Sequence, residues 1–430
     1  MGDVDMDILI ADVIGDVALI LVVSSLLGAV ARRCGQPTVV GQIAAGILLG
    51  PSLLGRLPGH LTGRLFPHAA LPYLTVISQV AVTIFMFVVG YEMDWGSCRR
   101  LYRPTLMVAV GALVVPLGLG CGAALIFRSG FAALGQSGFS HSFILFMGVA
   151  VSITALPVLA ALIRERGIAG TTAGLTATSA AGIMDVAAWL VLAAALLGTA
   201  DKPGRPLPVT LTLITGFVVL MLLVVRPALG RWVRRPGAVL ANQLPVALAL
   251  TLGSAWVTSW LGLHPVFGGL LAGFAMPSKD GTPEPDVLRP MEEVSGVLLP
   301  LFFIITGLSV NVGTLDSTAL MMLAVLFTIA SVGKIGPAYA ASRVGGLARK
   351  DAATVAMLVN TRGLTELIAL NVGFSAGLIS HRLFNVLVLM AVLTTIMTVP
   401  LLRLIRPATT VSAEAAAAGR VDQESAAKAL

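Results

Sequence analysis

The chain has 430 residues, 57% of them hydrophobic and only 11% charged, with a mean hydropathy of +0.94. A soluble domain carries about 25% charge, so a water-soluble globule is excluded and the bilayer is the solvent this composition suits. The net charge of +7 does not imply a nucleic-acid partner, because the basic residues are dispersed over short loops; the three cysteines, Cys34, Cys98 and Cys121, form neither a disulfide framework nor a zinc spacing.

Taken in chain order, apolar runs of spanning length fall near 8–30, 37–54, 72–91, 105–127, 142–163, 171–198, 207–225, 244–260, 264–277, 294–310, 318–342, 352–377 and 383–402. They predict an all-α polytopic membrane protein of about 13 transmembrane helices, occupying residues 1–408. The acidic start MGDVDMD does not read as a signal peptide. Residues 409–430, Ala-rich and polar, read as a disordered cytoplasmic tail.

Orientation follows from the loops. With the N-terminus outside, 20 of the 28 Lys and Arg residues fall in inside loops, six fall outside, and two, Lys334 and Arg362, lie within spans. That asymmetry is what the positive-inside rule requires, and it supports both the odd number of spans and a cytoplasmic C-terminus. The abundance of Ala, Gly and Arg against few Lys points to a bacterial plasma (inner) membrane.

An internal repeat is visible. VVGQIAAGILLGPS (Val39–Ser52) and VFGGLLAGFAMPS (Val266–Ser278) each place two glycines five apart, Gly41 and Gly46 or Gly268 and Gly273, and then a proline, Pro51 or Pro277. IFMFVVGYEMD and LFFIITGLSVN place Gly90 and Gly307 after Phe-rich runs. Spans one to six therefore match spans eight to thirteen, with span seven as linker. An odd linker inverts the second repeat, an arrangement typical of alternating-access transporters with a site near mid-membrane.

Corresponding spans five and twelve are interrupted. Span five, GVAVSITALPVLAAL, contains Ser152, Thr154 and the helix-breaking Pro157. Span twelve, MLVNTRGLTELIAL, contains Asn360, Thr361, Arg362, Gly363, Thr365 and Glu366, too polar for a lipid-facing helix. Ser152 and Thr154 can serve freed carbonyls or coordinate a cation.

The buried charges complete the pattern. Asp185 lies in the middle of span six, in TSAAGIMDVAAWLVL. An unpaired carboxylate there costs a few kcal/mol or more, so it neutralises, pairs or binds a cation. Lys334, mid-span eleven, is its natural partner. Arg362 and Glu366, four residues apart, can pair as a structural ion pair. Asp12 and Asp16, near the outer end of span one, and Glu92 and Asp94, at the end of span three, read as peripheral. No HExxH, no GxSG with a partner histidine, no paired-aspartate pattern and no P-loop occurs, so neither an enzyme nor an ATP-driven pump is expected.

The stretches VVGQIAAGILLGPSLLG, FMFVVGYEMD, VSITALPVLAALI, SAAGIMDVAAW, HPVFGGLLAGFAMP and NTRGLTELIALN together resemble the monovalent cation:proton antiporter-2 family, which includes plant cation/proton exchangers and bacterial potassium efflux systems. The resemblance implies the sodium/proton antiporter fold. Scaffold spans, about 8–91 and 244–310, would mediate a homodimer; core spans, about 105–198 and 318–402, would carry two broken helices that cross and would move by an elevator-type alternating access. It implies no cofactor beyond the transported Na⁺ or K⁺ and H⁺. It assigns the ion- and proton-binding carboxylate to Asp185, backbone and hydroxyl ligands to the region of Ser152 and Thr154, and the charge partner to Lys334. One departure stands out. Family members commonly carry Asn or Asp just before the key aspartate, and here that residue is Met184. A single acid implies one-for-one, electroneutral exchange. A channel-like potassium efflux pathway and cation-coupled transport of another solute are the alternative readings.

Overall fold

The computed structural model describes residues 6–56, 61–92, 102–197, 207–233, 243–278 and 282–405. Asp94, Cys98 and the tail 409–430 lie outside the described residues. The architecture is helical throughout. The first half comprises α1 (Met6–Arg33), α2 (Thr38–Leu49), α3 (Leu71–Glu92), α4 (Tyr102–Ile126), α5 (His141–Ser152), α6 (Leu156–Glu165) and α7 (Thr172–Leu197). A rod, α8, runs through Leu207–Leu220, a π-helical turn Met221–Val225 and Arg226–Val233. The second half comprises α9 (Gln243–Trp260), α10 (Pro265–Ala275), α11 (Pro285–Leu308), α12 (Ser317–Val344), α13 (Arg349–Val359), α14 (Leu364–Ser375) and α15 (His381–Ile405).

Among the described residues, nine helices are long and apolar enough to cross a membrane: α1, α2 with its continuation to Arg56, α3, α4, α7, α8, α11, α12 and α15. The other four runs read from the sequence are the shorter α9 and α10 and the interrupted pairs α5–α6 and α13–α14. The helix ends have local causes. The Ser140 hydroxyl accepts the Phe143 amide at the start of α5 (3.2 Å), and Asp316 accepts the Ala319 amide at the start of α12 (2.8 Å). Pro265 and Pro285 occupy the first turns of α10 and α11, where a missing amide hydrogen costs nothing.

The helices pack as two lobes. In one, α2 packs on α1 and α11, while α10 packs on α9 and α3. The approach is close because the contacts are glycines. A Cβ added to Gly46 would lie 2.8 Å from the Gly307 Cα and would meet the Ile304 carbonyl; one added to Gly273 would lie 2.7 Å from the Tyr91 nitrogen and would meet the Phe87 carbonyl. Thus Gly46 of α2 faces Gly307 of α11, and Gly90 of α3 faces Gly273 of α10. In the other lobe α12 packs on α4, α13 and α15, and α7 packs on α4, α5 and α13.

Apolar contact joins the lobes. Ile43, Phe85, Met86, Phe302 and Phe303 of the first share a cluster with Trp189, Leu364 and Leu367 of the second, and the rings of Trp189 and Phe267 meet edge to face at 5.7 Å. Polar contacts among the described residues cross the same boundary: Asn371 donates to the Thr306 hydroxyl (3.1 Å), Gln36 to the Ile396 carbonyl (3.3 Å), and Asn385 to the Asn311 carbonyl that follows α11 (3.5 Å). At one end of the second lobe, Arg382 binds Asp316 (2.5 Å) and donates to the Ala133 carbonyl (3.0 Å).

Candidate ion site at the paired helix breaks

The second lobe is organised around two breaks. The helical hydrogen-bond ladder stops after Ser152 and resumes at Leu156; it stops again after Val359 and resumes at Leu364. Gly363 permits the second interruption, since its φ of +154° is a conformation that a residue with a Cβ rarely adopts. The two non-helical stretches then satisfy each other. The Ala155 amide donates to the Thr361 carbonyl (3.0 Å), the Thr154 hydroxyl to the Val359 carbonyl (3.0 Å), and the Thr365 hydroxyl to the Thr154 carbonyl (3.2 Å). Backbone freed inside a membrane needs such partners.

The carboxyl end of α5 is held by cations. Lys334 Nζ donates to the carbonyls of Ser152 (2.5 Å) and Ile153 (2.7 Å). Arg362 donates to the Ala150 carbonyl (2.7 Å) and the Val151 carbonyl, and pairs with Glu366 (2.7 Å). All three side chains are fully buried. Positive charge at this helix end meets the negative end of the helix dipole, so these cations are structural caps.

Asp185 sits about 20 Å along α7, itself about 38 Å long, and is 1% exposed. Neither carboxylate oxygen has a hydrogen-bond partner. The Lys334 ammonium is hydrogen-bonded to the Ser152 and Ile153 carbonyls and not to this carboxylate. The direct Lys334–Asp185 pair expected from the sequence is therefore not formed here, because the ammonium is directed at the end of α5. The expected Arg362–Glu366 pair is formed, although Arg362 stands in the break rather than on a helix. The hydroxyls of Ser152 and Thr154 are engaged as donors, Ser152 to the Val149 carbonyl (3.2 Å) and Thr154 as above. Met184 is buried in an apolar cluster with Ala181 and Val359.

Two features escaped the sequence reading. Asp16 is 5% exposed, with Oδ2 unpartnered, about 15 Å from the start of α1, so it is an internal group and not a peripheral one. Asn360 was legible only as one polar residue among several. It is fully buried, and neither its amide nitrogen nor its oxygen has a partner.

A bundle of apolar helices with two interrupted elements meeting beside an unpartnered carboxylate defines a polytopic membrane protein with a polar centre inside its second lobe. Comparison with known proteins sharpens this. Residues 19–404 match the family described as sodium/hydrogen exchanger, transmembrane. The chain is 33% identical to the Na(+)/H(+) antiporter NhaS4 of Synechocystis over 92% of its own length and 97% of that protein. It is 36% identical to cation/H(+) antiporter 20 of Arabidopsis thaliana over 93% of its length, and spans about half of that relative, 49%. The fold matches that of the sodium proton antiporter MjNhaP1 of Methanocaldococcus jannaschii with a TM-score of 0.61 at 14% identity, covering 96% of this chain and 98% of that one. The chain belongs to the sodium/hydrogen exchanger transmembrane family, as its resemblance to monovalent cation:proton antiporters implied.

Proposed function

We propose that this chain exchanges a monovalent cation, Na⁺ or K⁺, for protons across a membrane, with Asp185 carrying either the cation or a proton. The observation that carries the proposal is a fully buried carboxylate with two unpartnered oxygens beside the paired breaks. An ionised carboxylate held dry and unpaired is costly; a bound proton or cation removes that cost, and the two exclude each other at one group. Family membership and the printed names of the relatives support the same reaction.

The finer features rest on the same reading. Thirteen segments cross the membrane as two inverted repeats joined by α8. This is supported by the matched breaks and by the reciprocal glycine contacts, Gly46 with Gly307 and Gly90 with Gly273. The first lobe is the scaffold of a homodimer, and the second is the core that moves against it in an elevator-type cycle. Exchange is electroneutral: α7 offers a single acid, and Lys334, held on two carbonyls, keeps its proton through the cycle. Ser152 and Thr154 add ligands through oxygen lone pairs left free by their donor bonds. The protein resides in a bacterial inner membrane, N-terminus outside and C-terminus in the cytoplasm.

The test is Asp185→Asn in proteoliposomes containing a pH-sensitive dye. Exchange of Na⁺ or K⁺ for H⁺ is expected to vanish while the purified variant keeps the elution profile of the parent. Exchange at the parent rate would refute the assignment.

A further inference from the structure

The two breaks are matched in geometry but not in their caps. The carboxyl end of α5 receives two resident cations on four successive carbonyls, those of Ala150, Val151, Ser152 and Ile153. The carboxyl end of α13 also runs into a break, although Asn360 keeps a helical backbone where Ile153 is extended, and the donor on its last carbonyl, that of Val359, is the Thr154 hydroxyl. No cationic side chain is hydrogen-bonded there among the described residues. A helix carboxyl end carries roughly half a negative charge, so one end is neutralised and the other is not.

The next residue, Asn360, has both polar atoms of its side chain buried and unpartnered, and the Thr361 hydroxyl beside it is likewise unpartnered. A buried amide without partners costs about 1–3 kcal/mol, and a residue that costs stability in place calls for a functional account. Its position supplies one. α13 packs directly on α7, and Val359 shares an apolar cluster with Ala181 and Met184, the last of these adjacent to Asp185. The end of α13 therefore offers an unpartnered amide oxygen and hydroxyl, Glu366 Oε2 is unpartnered just beyond the break, and the packed neighbour α7 carries the unpartnered Asp185 carboxylate, all at a negative helix end that no hydrogen-bonded cation neutralises. That set suits a hard monovalent cation.

Resting on the exchange reading above, we infer that the transported cation binds between Asp185 and the carboxyl end of α13, with the Asn360 amide oxygen as a direct, specificity-determining ligand. The cation takes at the second break the place that Lys334 and Arg362 hold at the first. Asn360, directly after α13, thereby supplies an amide that Met184 does not offer on α7.

The test compares Asn360→Leu, Asn360→Ser and Asp185→Asn in the full chain. Each is assayed for exchange in proteoliposomes and for melting temperature in choline chloride, NaCl and KCl. Asn360→Leu removes an unpartnered amide without opening a cavity, so it should melt at or above the parent temperature in choline chloride. Its apparent KM for the cation should rise about tenfold or more, and the melting shift produced by the favoured cation should be lost. Asn360→Ser, which keeps an oxygen, should fall between the two and change the Na⁺/K⁺ ratio. Parent values of KM, ion ratio and cation-induced melting shift in Asn360→Leu would overturn the inference, as would a lower melting temperature in choline with cation dependence unchanged. Undiminished exchange by Asp185→Asn would instead overturn the exchange reading on which it stands.

Discussion

Lys334 directs its charge at backbone carbonyls and Arg362 divides its own between carbonyls and Glu366, so at the scale of single residues a buried cation can be held with or without an ion pair. Both positions were conspicuous in the sequence, because a charge inside an apolar run is rare and costly. The Arg362–Glu366 pair was legible from its spacing, but the carbonyl acceptors were not, because carbonyls become free acceptors only where tertiary structure stops a helix. The same limit applied to Asn360, whose lack of partners is a property of the packed lobe and not of the residue type. Asp316 is a surface contrast. Its carboxyl is held below the usual aspartate value by the Ala319 amide first and by Arg382 second. A lowered value in the folded state gives stabilisation that is complete above the unfolded value of about 3.9 and is lost as pH falls through the folded one. Asp316→Ala should therefore melt below the parent at pH 7, and the gap should narrow on acidification to about pH 3. A gap that is constant between those pH values would show that the cap acts without its charge.

At the scale of elements, small residues decide how near helices come. Gly46 and Gly307 bring α2 and α11 into backbone contact, and Gly90 and Gly273 do so for α3 and α10. Gly46→Ala forces a methyl against the Ile304 carbonyl, so it should destabilise by about 1–3 kcal/mol, the usual cost of overpacking, read as a lower melting temperature by tryptophan fluorescence. Gly216→Ala in α8, where a Cβ meets nothing within 4 Å, should be neutral or mildly stabilising. The elements themselves were largely readable: length and hydropathy mark the long helices, and polar residues clustered in an apolar run mark both interruptions. The mutual satisfaction of the breaks was not readable, since the Ala155–Thr361 and Thr154–Val359 bonds join residues some two hundred positions apart. Spacing alone therefore located the breaks without showing that they meet.

At the scale of the molecule, the boundary between the lobes among the described residues is mostly apolar, with Trp189, Leu364 and Leu367 against Phe302, Phe303 and Phe85. If the lobes move against each other, fixing them should stop exchange. Thr306→Cys with Asn371→Cys, in a background lacking Cys34, Cys98 and Cys121, places thiols across the existing 3.1 Å contact. Joining them with a short reducible reagent should reduce exchange to background, and reduction should restore it. Undiminished exchange by the joined protein would exclude sliding of the lobes. The reciprocal glycine contacts also bear on how the chain is made. Each notch in the first half is filled by a helix from the second, so the early segments enter the bilayer with their closest contacts unmade. They must wait there, shielded by lipid or by the insertion machinery, until synthesis delivers α10 and α11. Assembly of the first lobe is therefore a late event, and a truncated nascent chain presents exposed backbone grooves by which quality control can recognise it.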